Sequence, residues 1–147
     1  MKLKVSYMPH GILYKVIPQL TEHLHKSEVW TAGRTTIDDI IGFIYSGRMM
    51  LWGVYDPETL KIYGYVITEF KDYPRCKMLV LQYCAGELNH MKYAEEEMYA
   101  VLEQFAKDNN CSGIEFFGRP GWAVSSKKRG YTTKQLYMRN FLRKHHE

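Results

Sequence analysis

Between Lys77 and Tyr131 the chain alternates two apolar runs with one amphipathic segment, and that alternation admits very few folds. Residues 77–83 (KMLVLQY) are apolar enough for a buried strand. A short polar loop over 84–91 (CAGELNHM) follows. Ala94, Met98, Val101, Leu102, Phe105 and Ala106 then recur three and four apart, the spacing of one helical face. Asn109-Asn110 ends that helix, and residues 113–117 (GIEFF) form a second short strand. Two strands of one sheet joined by a helical crossover run parallel. A short helix from about Trp122 to Lys128, closed by Gly130-Tyr131, completes a β-loop-α-β-α unit. Such units place a ligand at the carboxyl end of a strand and the amino end of a helix.

Upstream, residues 2–7 (KLKVSY) alternate polar and apolar as a short strand does, and Pro9-His10-Gly11 breaks it. Ile12, Leu13, Val16, Ile17, Leu20 and Leu24 share a helical face over 12–24. Pro18 lies inside that pattern and lacks an amide donor, which predicts a kink or two short pieces. His23 and His25 fall near its end, with no liganding neighbour in sequence. Thr35 or Thr36 caps a second helix, with Asp38 and Asp39 at its positive end, a stripe of Ile37, Ile40, Ile41 and Ile44, and Gly47 as its stop. Residues 49–55, 62–70 and 77–83 form an antiparallel meander with turns at 56–59 and 72–75. Residues 132–141 (TTKQLYMRNF) make the last strand. The expectation is one α/β (α+β mixed) domain over residues 1–147. It has a mixed central sheet of about six strands, an antiparallel N-terminal meander and helices on both faces.

Composition narrows the function classes. With 46% apolar and 24% charged residues the chain reads as an ordinary soluble globular protein. No apolar run approaches the ~18 residues that span a bilayer, so no membrane partner is expected. Met1-Lys2-Leu3-Lys4 lacks a signal-peptide core, which predicts a cytoplasmic protein. Cys76, Cys84 and Cys111 have no metal-ligand spacing and sit beside apolar residues, as buried reduced thiols do. From Arg119 onward eight Lys/Arg face Glu147 alone, so that end carries about +7 and the rest about −3 of the net +4. This basic face is either simply solvated or attracts nucleotide phosphates, nucleic acid or an acidic protein. Lys127-Lys128-Arg129 is short and no nucleic-acid motif accompanies it, so nucleic acid is not the expected partner.

Strand, two helices, three antiparallel strands, helix, strand, helix, strand is the element order of the GNAT N-acetyltransferases, which the chain resembles over nearly its whole length. At residue level it is most similar to phage-encoded GNAT-like proteins. The stretches that carry this are Val16-Ile17-Pro18-Gln19-Leu20, Ser46-Gly47-Arg48-Met49-Met50-Leu51-Trp52, Asp72-Tyr73-Pro74-Arg75, Cys84-Ala85-Gly86-Glu87, and Gly118-Arg119-Pro120-Gly121-Trp122-Ala123 with Gly130-Tyr131. The resemblance implies transfer of an acetyl group from acetyl-CoA to an amine. In such enzymes two central strands part, and main-chain amides of a glycine-rich loop hold the cofactor's pyrophosphate.

On that basis the cofactor-binding candidates are Gly86, Leu88, Asn89, His90 and Met91 of the loop, with Arg119. Glu87 at the mouth of the gap and Glu69 on the preceding strand are candidate bases, and Tyr131 of the closing Gly-Tyr pair is the third catalytic candidate. The family's Gln/Arg-x-x-Gly-x-Gly/Ala is reduced here to Gly86, and Glu95, Glu96 and Glu97 are expected to load the first turns of the helix with acid. Those departures predict the alternative, a GNAT-like phage protein without catalysis. It would bind a phage particle, as a virion-associated module, or a host protein, in the host cytoplasm.

Overall fold

The computed structural model describes residues 2–31, 33–116, 127–132 and 142. β1 (Lys4–Tyr7) leads through one 3-10 turn at His10–Ile12 into α1 (Leu13–Thr31) and α2 (Ile37–Tyr45). Three strands follow, β2 (Met50–Tyr55), β3 (Ile62–Asp72) and β4 (Lys77–Gly86), then α3 (Leu88–Asp108) and β5 (Gly113–Phe116). The five strands lie in sequence order in one sheet, antiparallel except for β5, which runs parallel to β4. The mixed class, the meander and the parallel crossover are as expected. Apart from Thr132, the anticipated sixth strand falls outside the described residues, as does the short helix before Lys127. No described helix is long and apolar enough to cross a membrane.

Side-chain alternation along the strands builds a core on each face of the sheet. Val5, Trp52, Val54, Val66, Leu79 and Leu81 pack against Ala94, Met98, Tyr99, Leu102 and Ala106 of α3. On the other face Leu51, Tyr65 and Ile67 pack against Leu13, Val16, Ile17, Leu20 and Leu24 of α1 and Ile40 and Ile44 of α2. Each such fully buried side chain contributes roughly 1.5–3 kcal/mol of transfer free energy. Tyr99 is fully buried although it stood outside the apolar spacing of α3.

α1 corrects the sequence reading. It is one helix of 19 residues with Pro18 inside it, and it continues past Leu24 to Thr31. Pro18 lies in its second turn, so only one ladder bond near the start is forfeited. Small polar residues hold the extension. Buried Ser27 shares a hydrogen bond with the Tyr65 hydroxyl, and Thr31 Oγ1 donates to the Thr35 carbonyl at 2.9 Å. Burial pushes the Tyr65 phenol above its ordinary pKa. α2 begins as expected: Thr36 Oγ1 accepts from the Asp39 amide at 3.2 Å while the Asp39 carboxylate accepts from the Thr36 amide at 2.9 Å. The three cysteines are free, but each is half-buried rather than buried.

Candidate functional site

β4 and α3 are separated by Glu87 alone, so most of the anticipated loop 84–91 is regular structure. Cys84, Ala85 and Gly86 extend β4, opposite Val66, Tyr65 and Gly64 of β3. Leu88, Asn89, His90 and Met91 are the first turn of α3. Small side chains made the strand's end look like a turn. Close packing is the reason they are small: a Cβ on Gly86 would lie 2.7 Å from Met91 Sδ and 2.8 Å from Gly64 Cα.

Few amides at this junction are free. The Glu87 N–H donates to the Tyr63 carbonyl at 3.0 Å, and those of His90 and Met91 donate to the Glu87 carbonyl, each at 2.9 Å. The N–H groups of Leu88 and Asn89 have no acceptor among the described residues, as befits the first positions of a helix. Glu87 does not cap them with its side chain. Its Oε2 stands 3.1 Å from His90 Nδ1, without hydrogen-bond alignment, and the His90 ring stacks on Tyr63 at 4.1 Å between centroids. The expected acidic load is also displaced. The first turn of α3 holds no acid. Glu95, Glu96 and Glu97 begin at the eighth helical residue, about 10 Å along the axis, beyond the turn in which the dipole acts.

The pairing of β4 with β5 covers Met78 to Leu81, and residues 82–86 pair only with β3 among the described residues. Directly after Leu81 the β3–β4 register slips. Ile67 faces Tyr83 and Thr68 faces Leu81, so Gln82 is an extra, unpaired residue. Such a bulge bends its strand and frees a main-chain group.

Glu69 stands beside this bulge. Thr68 and Phe70, its neighbours, turn toward α3, since Thr68 Oγ1 accepts from Trp52 Nε1 at 2.9 Å and Phe70 stacks on Phe105. Glu69 therefore faces the α1/α2 side. Its Oε1 accepts from Gln82 Nε2 at 3.3 Å, and Oε2 lies 3.5 Å from Arg48 Nε. Glu69 is five positions along β3 from Gly64, which lies opposite Gly86, about 16 Å of strand. The two candidate bases thus occupy different places, Glu87 at the helix start and Glu69 at the bulge. Gln82 and Arg48 were given no role at the site by the sequence, although Arg48 falls in one of the stretches that carry the resemblance. The one signal was a glutamine interrupting an apolar run.

No protein-family model and no curated protein matches the sequence. Solved structures do. Glucosamine-6-phosphate N-acetyltransferase from Arabidopsis thaliana superposes with a TM-score of 0.70 at 13% identity, over 97% of this chain and 100% of that one. A GNAT family acetyltransferase from Staphylococcus aureus gives 0.67 at 14%, over 97% and 100%. A predicted acetyltransferase from Clostridium acetobutylicum solved with acetyl-CoA gives 0.68 at 12%, over 95% and 96%. The fold is that of the GNAT acetyltransferases.

On this GNAT scaffold Tyr131 sits apart from both carboxylates. Its ring packs on Tyr99 and Phe116, and its hydroxyl donates to Glu103 Oε2 at 3.2 Å. Burial, then the Glu103 charge, raises its pKa above the ordinary phenol value. Glu103 is sixteen residues along α3 from Glu87, about 24 Å of helix, and Glu69 is on the opposite face of the sheet. Arg129 joins Tyr131 there, pairing with Glu103 at 3.0 Å and Glu96 at 3.1 Å. Arg119 lies outside the described residues.

Proposed function

We propose that this protein is an N-acetyltransferase that moves an acetyl group from acetyl-CoA to an amine. The carrying observation is the bulge at Gln82 and the run of β4 from there to Gly86, which ends directly on α3. That run offers main-chain groups along which a pantetheine arm can lie. The open amides of Leu88 and Asn89 then meet the pyrophosphate in the positive field of the helix start. The residues present fit an anion there, because the first turn carries no acid and His90 stands beside the Glu87 carboxylate. Gly86 and Met91 shape the floor of this subsite, and Arg119 is assigned to it as a further cation.

Bound in this way, acetyl-CoA supplies an activated thioester. Glu69 is the base we assign, rather than Glu87, because it lies at the bulge, held by Gln82. It takes the proton that the attacking amine gives up as the C–N bond forms and the C–S bond breaks. Gln82, the extra residue of the ladder, is assigned to the carbonyl oxygen at the same level. Glu87 and His90 belong to the cofactor end, and Tyr131 to the packing of α3.

Thermal unfolding with and without acetyl-CoA, together with thiol release over an amine panel, tests the reading. Saturating cofactor stabilises the native state by about 2.7 kcal/mol at a hundred times Kd, and at least one amine releases free CoA. No shift and no release would overturn it in favour of a binding module for a phage particle or a host protein.

A further inference from the structure

Glu69 is held in an unusual state for a carboxylate. Its side chain is 16% exposed, and Oε2 is buried with no hydrogen bond among the described residues. A buried, under-bonded carboxylate oxygen is costly unless a cation or donor completes it. The nearest cation is Arg48, whose Nε is 3.5 Å away, beyond good charge-assisted geometry. Arg48 is itself 59% exposed and rests its guanidinium over the Phe43 ring at 4.2 Å. The exposed partner therefore stands on the solvent side of the buried one, attached to it loosely and supported elsewhere.

From this arrangement we infer that Arg48 is a built-in stand-in for the acceptor, and that the acceptor is a primary ammonium that displaces it from Glu69. The inference rests on the assignment of Glu69 to the acceptor side of the proposed reaction. An ammonium is compact and donates three hydrogen bonds, so it can reach Oε2 where the planar guanidinium, tied to Phe43, stops short. Gln82 Nε2 already satisfies Oε1 and holds the carboxylate in place. Phe43 gives the displaced Arg48 a resting position, so displacement does not strand a charge. The pair thereby excludes acceptors that present an anion at this point and disfavours a neutral hydroxyl, which donates one bond but brings no charge in place of Arg48.

Calorimetric titration with spermidine, at an ionic strength matched with sodium chloride and without acetyl-CoA, tests this on the full chain. The net charge of +4 opposes non-specific uptake of a polycation. Glu69→Gln should weaken binding tenfold or more, as expected for loss of a charge-assisted bond. Arg48→Gln should tighten it about two- to fivefold, the worth of an exposed ion pair. Glu69→Asp should recover part of the affinity, and circular dichroism checks that each variant is folded. Loss of one positive charge by itself would tighten spermidine equally with or without Glu69, so the gain from Arg48→Gln should vanish in the Glu69→Gln background. Weaker or unchanged binding in Arg48→Gln, or a gain that survives Glu69→Gln, would overturn the inference. Equal binding by wild type and Glu69→Gln would do the same. Failure of the transferase reading is separable, because it shows as absent stabilisation by acetyl-CoA while the spermidine titration still reports on Glu69.

Discussion

Gly64 and Gly86 face each other across β3 and β4 with no space for a side chain on either. A Cβ on Gly64 would stand 2.5 Å from Met91 Sδ and 2.6 Å from the Ala85 carbonyl oxygen. Gly86→Ala must therefore shift backbone as well as the flexible thioether. Overpacking of this kind costs about 1–3 kcal/mol. Urea unfolding should show that loss, and an unchanged midpoint would mean that the two strands part more easily than their packing implies.

Trp52 Nε1 and Thr68 Oγ1 form a buried pair on the α3 side of the sheet. Thr68→Val keeps the shape and leaves the indole N–H without its acceptor. The expected loss is about 1–3 kcal/mol, read from denaturant unfolding. Trp52→Phe in the same background should recover part of it, because the orphaned donor is then gone.

His23 makes stability depend on pH. Burial, then Lys26, lowers its pKa, while Glu22 and Glu87 work in the other direction. The unfolded chain thus binds a proton more readily than the native one. Stability contributed by the neutral ring is complete above the ordinary value of about 6.5 and falls as pH drops through it. Unfolding free energies between pH 7.5 and 5 should decline less steeply in His23→Asn than in wild type. Parallel curves would remove His23 as the cause.

Leu88→Pro separates helix formation from anion binding at the start of α3. Proline suits the first helical position, and Glu87 before it has the extended backbone (φ −72°, ψ 111°) that a proline requires. One of the two open amides disappears. Affinity for acetyl-CoA should fall about tenfold, the worth of a hydrogen bond to a charged group, with the helical circular dichroism retained. Unchanged affinity would place the pyrophosphate elsewhere.

How far the fold could be read ahead depended on whether a signal was local. The isoleucine stripe and threonine cap of α2 and the apolar face of α3 are written in single segments, and both were legible. The extension of α1 was not, because Ser27 and Thr31 look exposed until Tyr65 and Thr35 are brought against them. The Cys84–Gly86 end of β4 read as a loop because its small residues answer to Gly64 and Met91, distant in sequence. Glu69 could be named as a candidate, but Gln82 and Arg48 could not. A bulge exists only in the register between two strands, and Arg48 reaches Glu69 from the far end of α2.

The supernumerary Gln82 is absorbed without turning the tip over. Leu79 and Leu81 point toward α3, Cys84 does so again past the bulge, and Tyr83 and Ala85 turn to the helix pair opposite. Deleting this one amino acid would set Tyr83 next to Leu81 in an unbroken ladder against Ile67 and Thr68. The Tyr83 phenol would keep its place 3.2 Å from Thr35 Oγ1, and the contact of the Gln82 amide with Glu69 would go. The insertion thus leaves both faces of the strand as they are and adds one polar side chain beside Glu69.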